Sequence, residues 1–117
     1  MPLENMQILA SPGATSGTKI LTLKGPLSIH TIFDFQNAVR AETDPTLIVD
    51  FSGVPFIDSA GLGALVGACV TSKNAGRKLI FAGMNDQVNA LVDMTHLRQF
   101  FKSCATVADA EAAAAVA

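Results

Sequence analysis

A continuous apolar run near the middle of the chain limits the fold more than any other feature. Residues 46–51 are almost all apolar or β-branched, which is typical of a central strand covered on both faces. A turn containing Gly53 and Pro55 follows, and a pattern of small and apolar residues then extends from Ser59 to about Asn74. This second pattern predicts a helix, so a sheet with helices packed against it is expected.

Strands and helices continue to alternate along the rest of the sequence. Two short strands flank a turn rich in Gly, Pro and hydroxyl residues, and together they predict a hairpin at a sheet edge. The further predicted elements have ordinary start and stop signals. The strands are predicted at 6–10, 19–24 and 78–82, with a last short strand at 100–101. The helices are predicted from Ser28 or His30-Thr31 to Glu42 and at 86–94, where Asn85 is the cap. A terminal helix begins at Thr106, which has capping-box spacing to Asp109.

Two helices carry patterns that predict how they pack. The first has an imperfect apolar stripe, and the helix after Ser59 has an apolar face beside one almost bare of side-chain bulk. Glycine in a helix costs about 1 kcal/mol relative to alanine, so we interpret the bare face as a place of close approach. The stripe is Ile29, Ile32, Phe33, Phe35, Gln36 and Val39, the apolar face is Leu62, Leu65, Val66, Cys69 and Val70, and the bare face is Ala60, Gly63, Ala64, Gly67 and Ala68.

Composition narrows the classes of function. The 117 residues are expected to form one domain, and their net charge of −2 argues against a nucleic-acid or anionic-membrane surface. The one basic cluster, Lys73, Arg77 and Lys78, lies at a helix-to-strand corner. Neither a signal sequence nor an apolar run of membrane-spanning length is evident, and the two cysteines show no metal or disulfide spacing. We therefore expect a cytoplasmic protein.

Ser59 is the residue with the clearest chemical potential. It lies at a predicted helix N-terminus, where backbone N–H groups and the helix dipole favour an anion. One interpretation is structural, with the serine acting as an N-cap. The other is a regulated hydroxyl, whose phosphorylation would add about −1.5 to −2 charges beside Asp58 and cover the bare helix face without refolding the domain.

Other chemistry receives little support from the sequence. A hydrolase nucleophile elbow requires Gly two residues before the serine, but Ile57 occupies that position. Neither His30 nor His96 has a motif that links it to Ser59 as a triad would require. Phosphate-binding glycine motifs are missing. We interpret Asp50, Asp58 and Asp86 as strand-end and capping residues rather than a metal cluster.

The segment around Ser59 resembles the signature of the STAS family of bacterial anti-sigma factor antagonists. The core of the resemblance is Asp58-Ser59-Ala60-Gly61-Leu62 within residues 49–63. It continues through residues 74–83 and 85–91 and includes the strand end at 23–27. The resemblance implies a single STAS domain over residues 1–117, with a mixed four- to five-stranded sheet and about four helices packed against it.

The resemblance also implies a switch protein without enzymatic activity, cofactor or metal. Its unphosphorylated form would bind an anti-sigma factor that is also a serine kinase, and so free a sigma factor for transcription. That kinase, which holds the ATP, would phosphorylate Ser59, and a PP2C-type phosphatase would reverse the reaction. The implied partner-binding set is Gly25, Pro26, Leu27, Ser28, Asp58, Ser59, Ala60, Gly61, Leu62, Gly63, Ala64 and Gly67.

One position departs from the family pattern, and several alternatives stay open. Many members have a second hydroxyl residue after the modified serine, whereas this chain has Ala60, which affects partner preference rather than the phosphosite. Within the family, the alternatives are a stressosome-like or a transporter-associated module. Outside it, the alternative is a small ligand-binding protein or hydrolase that uses Ser59.

Overall fold

One mixed sheet of five strands organises the computed structural model, which describes residues 5–115. The spatial order of the strands equals their order in the chain. The first two strands are antiparallel, and every later neighbour is parallel. Both the edge hairpin and the central position of the apolar run are therefore confirmed. The strands are β1 (Gln7–Pro12), β2 (Thr18–Lys24), β3 (Thr46–Gly53), β4 (Lys78–Ala82) and β5 (Lys102–Cys104).

Helices cover both faces of this sheet. Alternate residues of β3 point to opposite sides, so Leu47, Val49 and Phe51 lie in one core and Ile48 lies in another. The larger core contains residues of the first three helices, and the smaller one contains Ala110 of the fourth. The predicted fold class is confirmed. The helices are α1 (Ile32–Ala41), α2 (Ser59–Asn74), α3 (Asp86–Met94) and α4 (Val107–Ala115).

The inward stripe predicted for α1 is partly wrong. Phe35 and Val39 are buried, but Ile29 is 57% exposed and Phe33 is 68% exposed. The cause lies in the turn before the helix, where the Thr31 hydroxyl donates to the carbonyl of Pro26 and accepts from an upstream backbone N–H. Because of this turn, the helix begins only at Ile32, and the side chains of Ile29 and Phe33 lie at the surface.

The bare face predicted for α2 is divided between core and surface. Ala64 and Ala68 are buried, whereas Gly63 and Gly67 are exposed. Val70, a member of the predicted apolar face, is 53% exposed. Some small residues of α2 therefore lie in the core, and the exposed glycines leave a low surface on the helix.

The last strand lies later than the sequence predicts. Residues 98–100 form a single 3₁₀ turn, and β5 begins at Lys102 rather than at residue 100. Phe101 turns inward and packs edge-to-face on Phe81, with ring centroids 5.0 Å apart. Because this contact anchors the turn, strand pairing starts only after it. The predicted cap of α4 is confirmed, since the Thr106 hydroxyl accepts from the N–H of Asp109 at 3.1 Å.

Candidate functional site

Ser59 is the first residue of α2, and its side chain is exposed. The N-cap is Asp58, whose carboxylate accepts from the N–H of Gly61 at 2.8 Å. The structural interpretation of Ser59 as the cap is therefore wrong. Aspartate caps a helix as well as serine does, and its position one residue earlier satisfies the donor that Ser59 would have satisfied. Within residues 5–115, no hydrogen bond holds the Ser59 hydroxyl.

The second oxygen of the Asp58 carboxylate reaches across to the β2–α1 connection. It accepts from the N–H of Ile29 at 3.1 Å. Burial raises the pKa of this carboxyl, but the N–H donors of Gly61, Ile29, Ala60 and Asp58 itself outweigh it and bring the pKa below its usual value. The side chain therefore stays ionised at neutral pH and joins two separate segments beside Ser59.

Backbone contacts reinforce this junction. Leu27 forms a parallel bridge with Ile57, donates to the carbonyl of Phe56 and accepts from the N–H of Asp58. A Cβ at position 61 would lie 2.1 Å from the carbonyl oxygen of Leu27, so only glycine permits this approach. The first turn of α2 is thus fixed against the β2–α1 connection, and the orientation of the exposed serine follows from it.

Gly25 shapes the far side of the same junction. Its φ of +117° belongs to a region that L residues avoid, and a Cβ there would lie 2.3 Å from the carbonyl oxygen of Asn5. Its N–H donates to the carbonyl of Gly53 at the end of β3. The three following residues are buried, so the connection supports the surface near Ser59 from below. They are Pro26, Leu27 and Ser28.

The residues predicted to bind a partner separate into three classes of exposure. Three are exposed and three are half-buried, so six offer surface to another molecule. The other six shape the surface from beneath. The exposed residues are Ser59, Gly63 and Gly67; the half-buried ones are Gly25, Asp58 and Ala60; the buried ones are Pro26, Leu27, Ser28, Gly61, Leu62 and Ala64.

The exposure of several large apolar side chains near the site was not predicted from the sequence. Phe56 is 48% exposed and lies three residues before Ser59. Ile29 is exposed next to the Asp58 carboxylate, and Phe33 follows at the start of α1. Periodicity alone placed Ile29 and Phe33 in the core. The turn signal Gly25-Pro26 before them, which prevents an early helix start, was the available clue to their exposure.

The structure places the other candidate groups in local roles. Asp50 accepts from the N–H of Ser52, Asp86 lies exposed in the first turn of α3, and His96 follows the C-cap of that helix. His30 is exposed in the turn before α1. Among residues 5–115, no group of three or more metal-ligating side chains is present. In the same range, no helix is both long and apolar enough to cross a membrane.

Comparison with known proteins agrees with this architecture. The family model of the STAS domain matches residues 10–110. An anti-sigma factor antagonist from Mycobacterium paratuberculosis superposes with a TM-score of 0.78 at 22% sequence identity, over 97% of this chain and 96% of that chain. A sulfate transporter family protein from Wolinella succinogenes gives a TM-score of 0.79 at 20% identity, over 87% of this chain and 88% of that chain.

A third similar structure is SpoIIAA, a cell fate determinant of Bacillus and an anti-sigma factor antagonist, solved in its phosphorylated form. It superposes with a TM-score of 0.67 at 19% identity, over 92% of this chain and 99% of that chain. At these identities, the likeness of all three structures establishes a shared fold.

Proposed function

The chain belongs to the STAS domain family, and from this premise we propose that it is an anti-sigma factor antagonist switched by phosphorylation of Ser59. In its unphosphorylated form it binds an anti-sigma factor serine kinase in the cytoplasm and thereby releases a sigma factor. The kinase transfers the γ-phosphoryl group of ATP to the Ser59 hydroxyl, with ADP as the second product. A PP2C-type phosphatase then hydrolyses the ester to serine and inorganic phosphate.

The observation that carries this proposal is that the helix cap and the exposed hydroxyl at the start of α2 belong to two different residues. Asp58 satisfies the helix end, and the neighbouring Ser59 hydroxyl projects to the surface without a role in the fold. A kinase therefore reaches the hydroxyl without unfolding the helix. A serine held as a cap would first have to give up its hydrogen bond.

Electrostatics determines what a phosphate does at this place. The N-terminal end of α2 attracts negative charge, which keeps the modified helix stable. The carboxylate of Asp58 already occupies the N–H groups of Gly61 and Ile29, so the phosphate is directed outwards instead of being absorbed into the cap. About −1.5 to −2 charges then stand on the exposed surface.

The low surface along α2 explains why such a group blocks a partner. A Cβ built at Gly63 or at Gly67 meets nothing within 4 Å, so a second protein can approach the helix backbone closely there. Ser59 precedes these glycines at helical spacing of four residues, on the same exposed side. A phosphate at Ser59 adds both bulk and charge at the end of this path and excludes the docked partner.

The first test is the phosphorylation state of the protein purified from its native host. Intact mass and peptide mapping before and after phosphatase treatment are expected to show one phosphate, located on Ser59 and removed by the phosphatase. Incubation with an anti-sigma factor serine kinase of the same organism and ATP is expected to restore it. A protein that remains unmodified in every growth condition and with the kinase would refute the switch.

Binding variants test the consequence of the modification. We expect Ser59→Ala to bind the kinase as the unmodified protein does, and Ser59→Asp to lose most of its affinity. The matched controls are Ser16→Ala and Ser16→Asp, which make the same changes in the exposed β1–β2 turn and should bind normally. Equal affinity of the Ser59→Ala and Ser59→Asp proteins would remove Ser59 from the interface.

A transporter-associated role is the second candidate, because the Wolinella sulfate transporter family protein has the same fold. Because regulators and transporter proteins share this fold, the partner has to be identified in a binding experiment. Capture of a membrane transporter by this chain, with the same yield from the Ser59→Asp protein, would support that role. Capture that depends on Ser59 and yields a kinase supports the antagonist instead.

A further inference from the structure

A basic corner of the fold has no part in the function proposed above. It lies where α2 ends and β4 begins, and it is lined by Lys73 and Arg77. Ser59 stands at the other end of the same helix, fourteen residues from Lys73, which corresponds to about 21 Å along the helix axis. The corner is therefore too far from the phosphosite to share its contacts.

Two adjoining cavities open at this corner. One has a volume of about 290 Å³ and the other about 440 Å³, and both are bordered by Cys69 and Lys73. The larger volume is in the range that small organic ligands occupy, and the smaller one lies just below it. The wall of the larger cavity is mainly apolar and includes Val70, whereas the smaller cavity combines Leu79 and Phe101 with polar and charged side chains. The apolar side chains in both cavities offer contacts to a hydrocarbon or aromatic group.

The charges around the cavities have one sign. Among the described residues, neither cavity is lined by an aspartate or a glutamate, although the whole chain carries a net charge of −2. The ion pairs found in residues 5–115 join Lys19 to Glu42 and Arg98 to Asp93, so Lys73 is not neutralised by one. The positive potential at the corner is thus available to an anion.

Arg77 is held in position for such a role. Its guanidinium donates to the backbone carbonyl of Glu42, which fixes the side chain at the cavity wall. A guanidinium has five N–H donors, so this contact leaves others for an anionic group. The neighbouring thiol of Cys69 adds no competing negative charge, because burial raises its pKa to about 11.

A buried hydroxyl at the same place lacks a partner. Ser72 is 1% exposed and lines the smaller cavity, and its Oγ forms no hydrogen bond among residues 5–115. Buried hydroxyl groups in folded proteins are almost always paired with protein or water. The Oγ of Ser72 exposes less than 1 Å², so this hydroxyl lies behind the cavity wall and a ligand in the cavity does not contact it.

We propose that this corner binds a small organic anion, with one anionic head group attached to an aromatic or aliphatic body. Lys73 and Arg77 hold the head group. The body lies over the apolar side chains of Leu79 and Phe101. The site is separate from Ser59, so its occupancy and phosphorylation can be measured independently.

Fluorescence titration of the full chain with anilinonaphthalene sulfonate tests the combination of charge and apolar surface. This dye has an aromatic body and one sulfonate, and the neutral N-phenylnaphthylamine is its uncharged counterpart. We expect one molecule of the sulfonate to bind per chain and the neutral dye to bind at least about tenfold more weakly, because it lacks the charge-assisted contacts. Equal affinity for the two dyes would overturn the proposal.

Variants assign the binding to this corner. Lys73→Gln should weaken sulfonate binding by about tenfold, whereas Lys24→Gln, which removes the same charge from an exposed strand residue, should change it less than about twofold. Equal effects of the two lysine variants would contradict the site.

Amide chemical shifts and competition complete the test. Addition of the sulfonate should shift the resonances of residues 69–79 and 101–102 and leave those of residues 57–61 in place. Decanoate and phenyl phosphate are then used as competitors, because they combine a carboxylate with an aliphatic body and a phosphate with an aromatic one. Displacement by either identifies the preferred head group, while shifts centred elsewhere or displacement by neither would overturn the proposal.

Discussion

Replacing Gly61 with alanine places a methyl group where the structure has no space for one. The added Cβ lies 2.1 Å from the carbonyl oxygen of Leu27 and 2.9 Å from its carbonyl carbon. Both atoms belong to backbone that is held by the bridge between Leu27 and Ile57. No side-chain rotation relieves this contact, so the first turn of α2 and the β2–α1 connection have to separate.

The expected magnitude follows from two opposing effects. Alanine stabilises a helix by about 1 kcal/mol relative to glycine. Overpacking against backbone costs about 3 kcal/mol, so Gly61→Ala should lower the free energy of unfolding by about 2 kcal/mol. Gly63→Ala is the matched control on the same helix, where a Cβ meets nothing within 4 Å, and it should raise that free energy by about 1 kcal/mol.

Urea unfolding followed by circular dichroism measures both changes. With a slope of about 2 kcal/mol per M, the midpoint should fall by about 1 M for Gly61→Ala and rise by about 0.5 M for Gly63→Ala. A Gly61→Ala protein with the wild-type midpoint would refute the argument that Leu27 requires glycine at this position. Equal midpoints of the two variants would refute it as well.

Three further predictions concern the ends of helices. Ser59→Ala should change the free energy of unfolding by less than about 0.5 kcal/mol in urea, because the hydroxyl has no bond to lose; a loss above about 1 kcal/mol would give it a structural role. His96→Gly should raise the melting temperature and stabilise by about 0.5–1 kcal/mol, because His96 has a φ of +57° after the end of α3; an unchanged or lower value would contradict this. Asp58→Asn should cost about 1 kcal/mol at pH 7, because one amide oxygen replaces two carboxylate oxygens that accept from the N–H groups of Gly61 and Ile29. Because the folded-state pKa of Asp58 is lowered, the wild-type advantage should be complete above the ordinary aspartate pKa of 3.8 and disappear as the pH falls through the lower folded-state pKa. Urea unfolding of both proteins from pH 2 to 7 checks this, and a difference that is constant over the range would contradict it.

Periodic patterns in the sequence predicted the elements that form the core. The run at residues 46–51 identified the central strand because both of its faces are buried, and the small-residue pattern located α2 from Ser59 to Asn74. Capping signals were equally reliable where the partner lies in the same turn, as at Asn85, which accepts from the N–H of Val88. In each case the deciding interactions are local or follow directly from burial.

Interactions between distant segments explain the errors. Asp58 and Ser59 are both good capping residues, and the choice between them depends on the N–H of Ile29, which is 29 positions earlier in the chain. The start of β5 depends on the packing of Phe101 against Phe81 across the sheet. Contacts of this kind have no signature in a single sequence.

The position of the cap bears directly on how a phosphoswitch can work. If one residue were both the helix cap and the phosphoacceptor, modification would break the hydrogen bond that starts the helix and would change stability along with binding. Here Asp58 caps α2 and also joins it to the β2–α1 connection, while Ser59 next to it is exposed and its hydroxyl forms no hydrogen bond within residues 5–115. A phosphate on Ser59 would therefore change the surface charge with little change in the fold. In the proposed switch, position 58 would set domain stability and position 59 would set partner affinity, so the two could be adjusted separately.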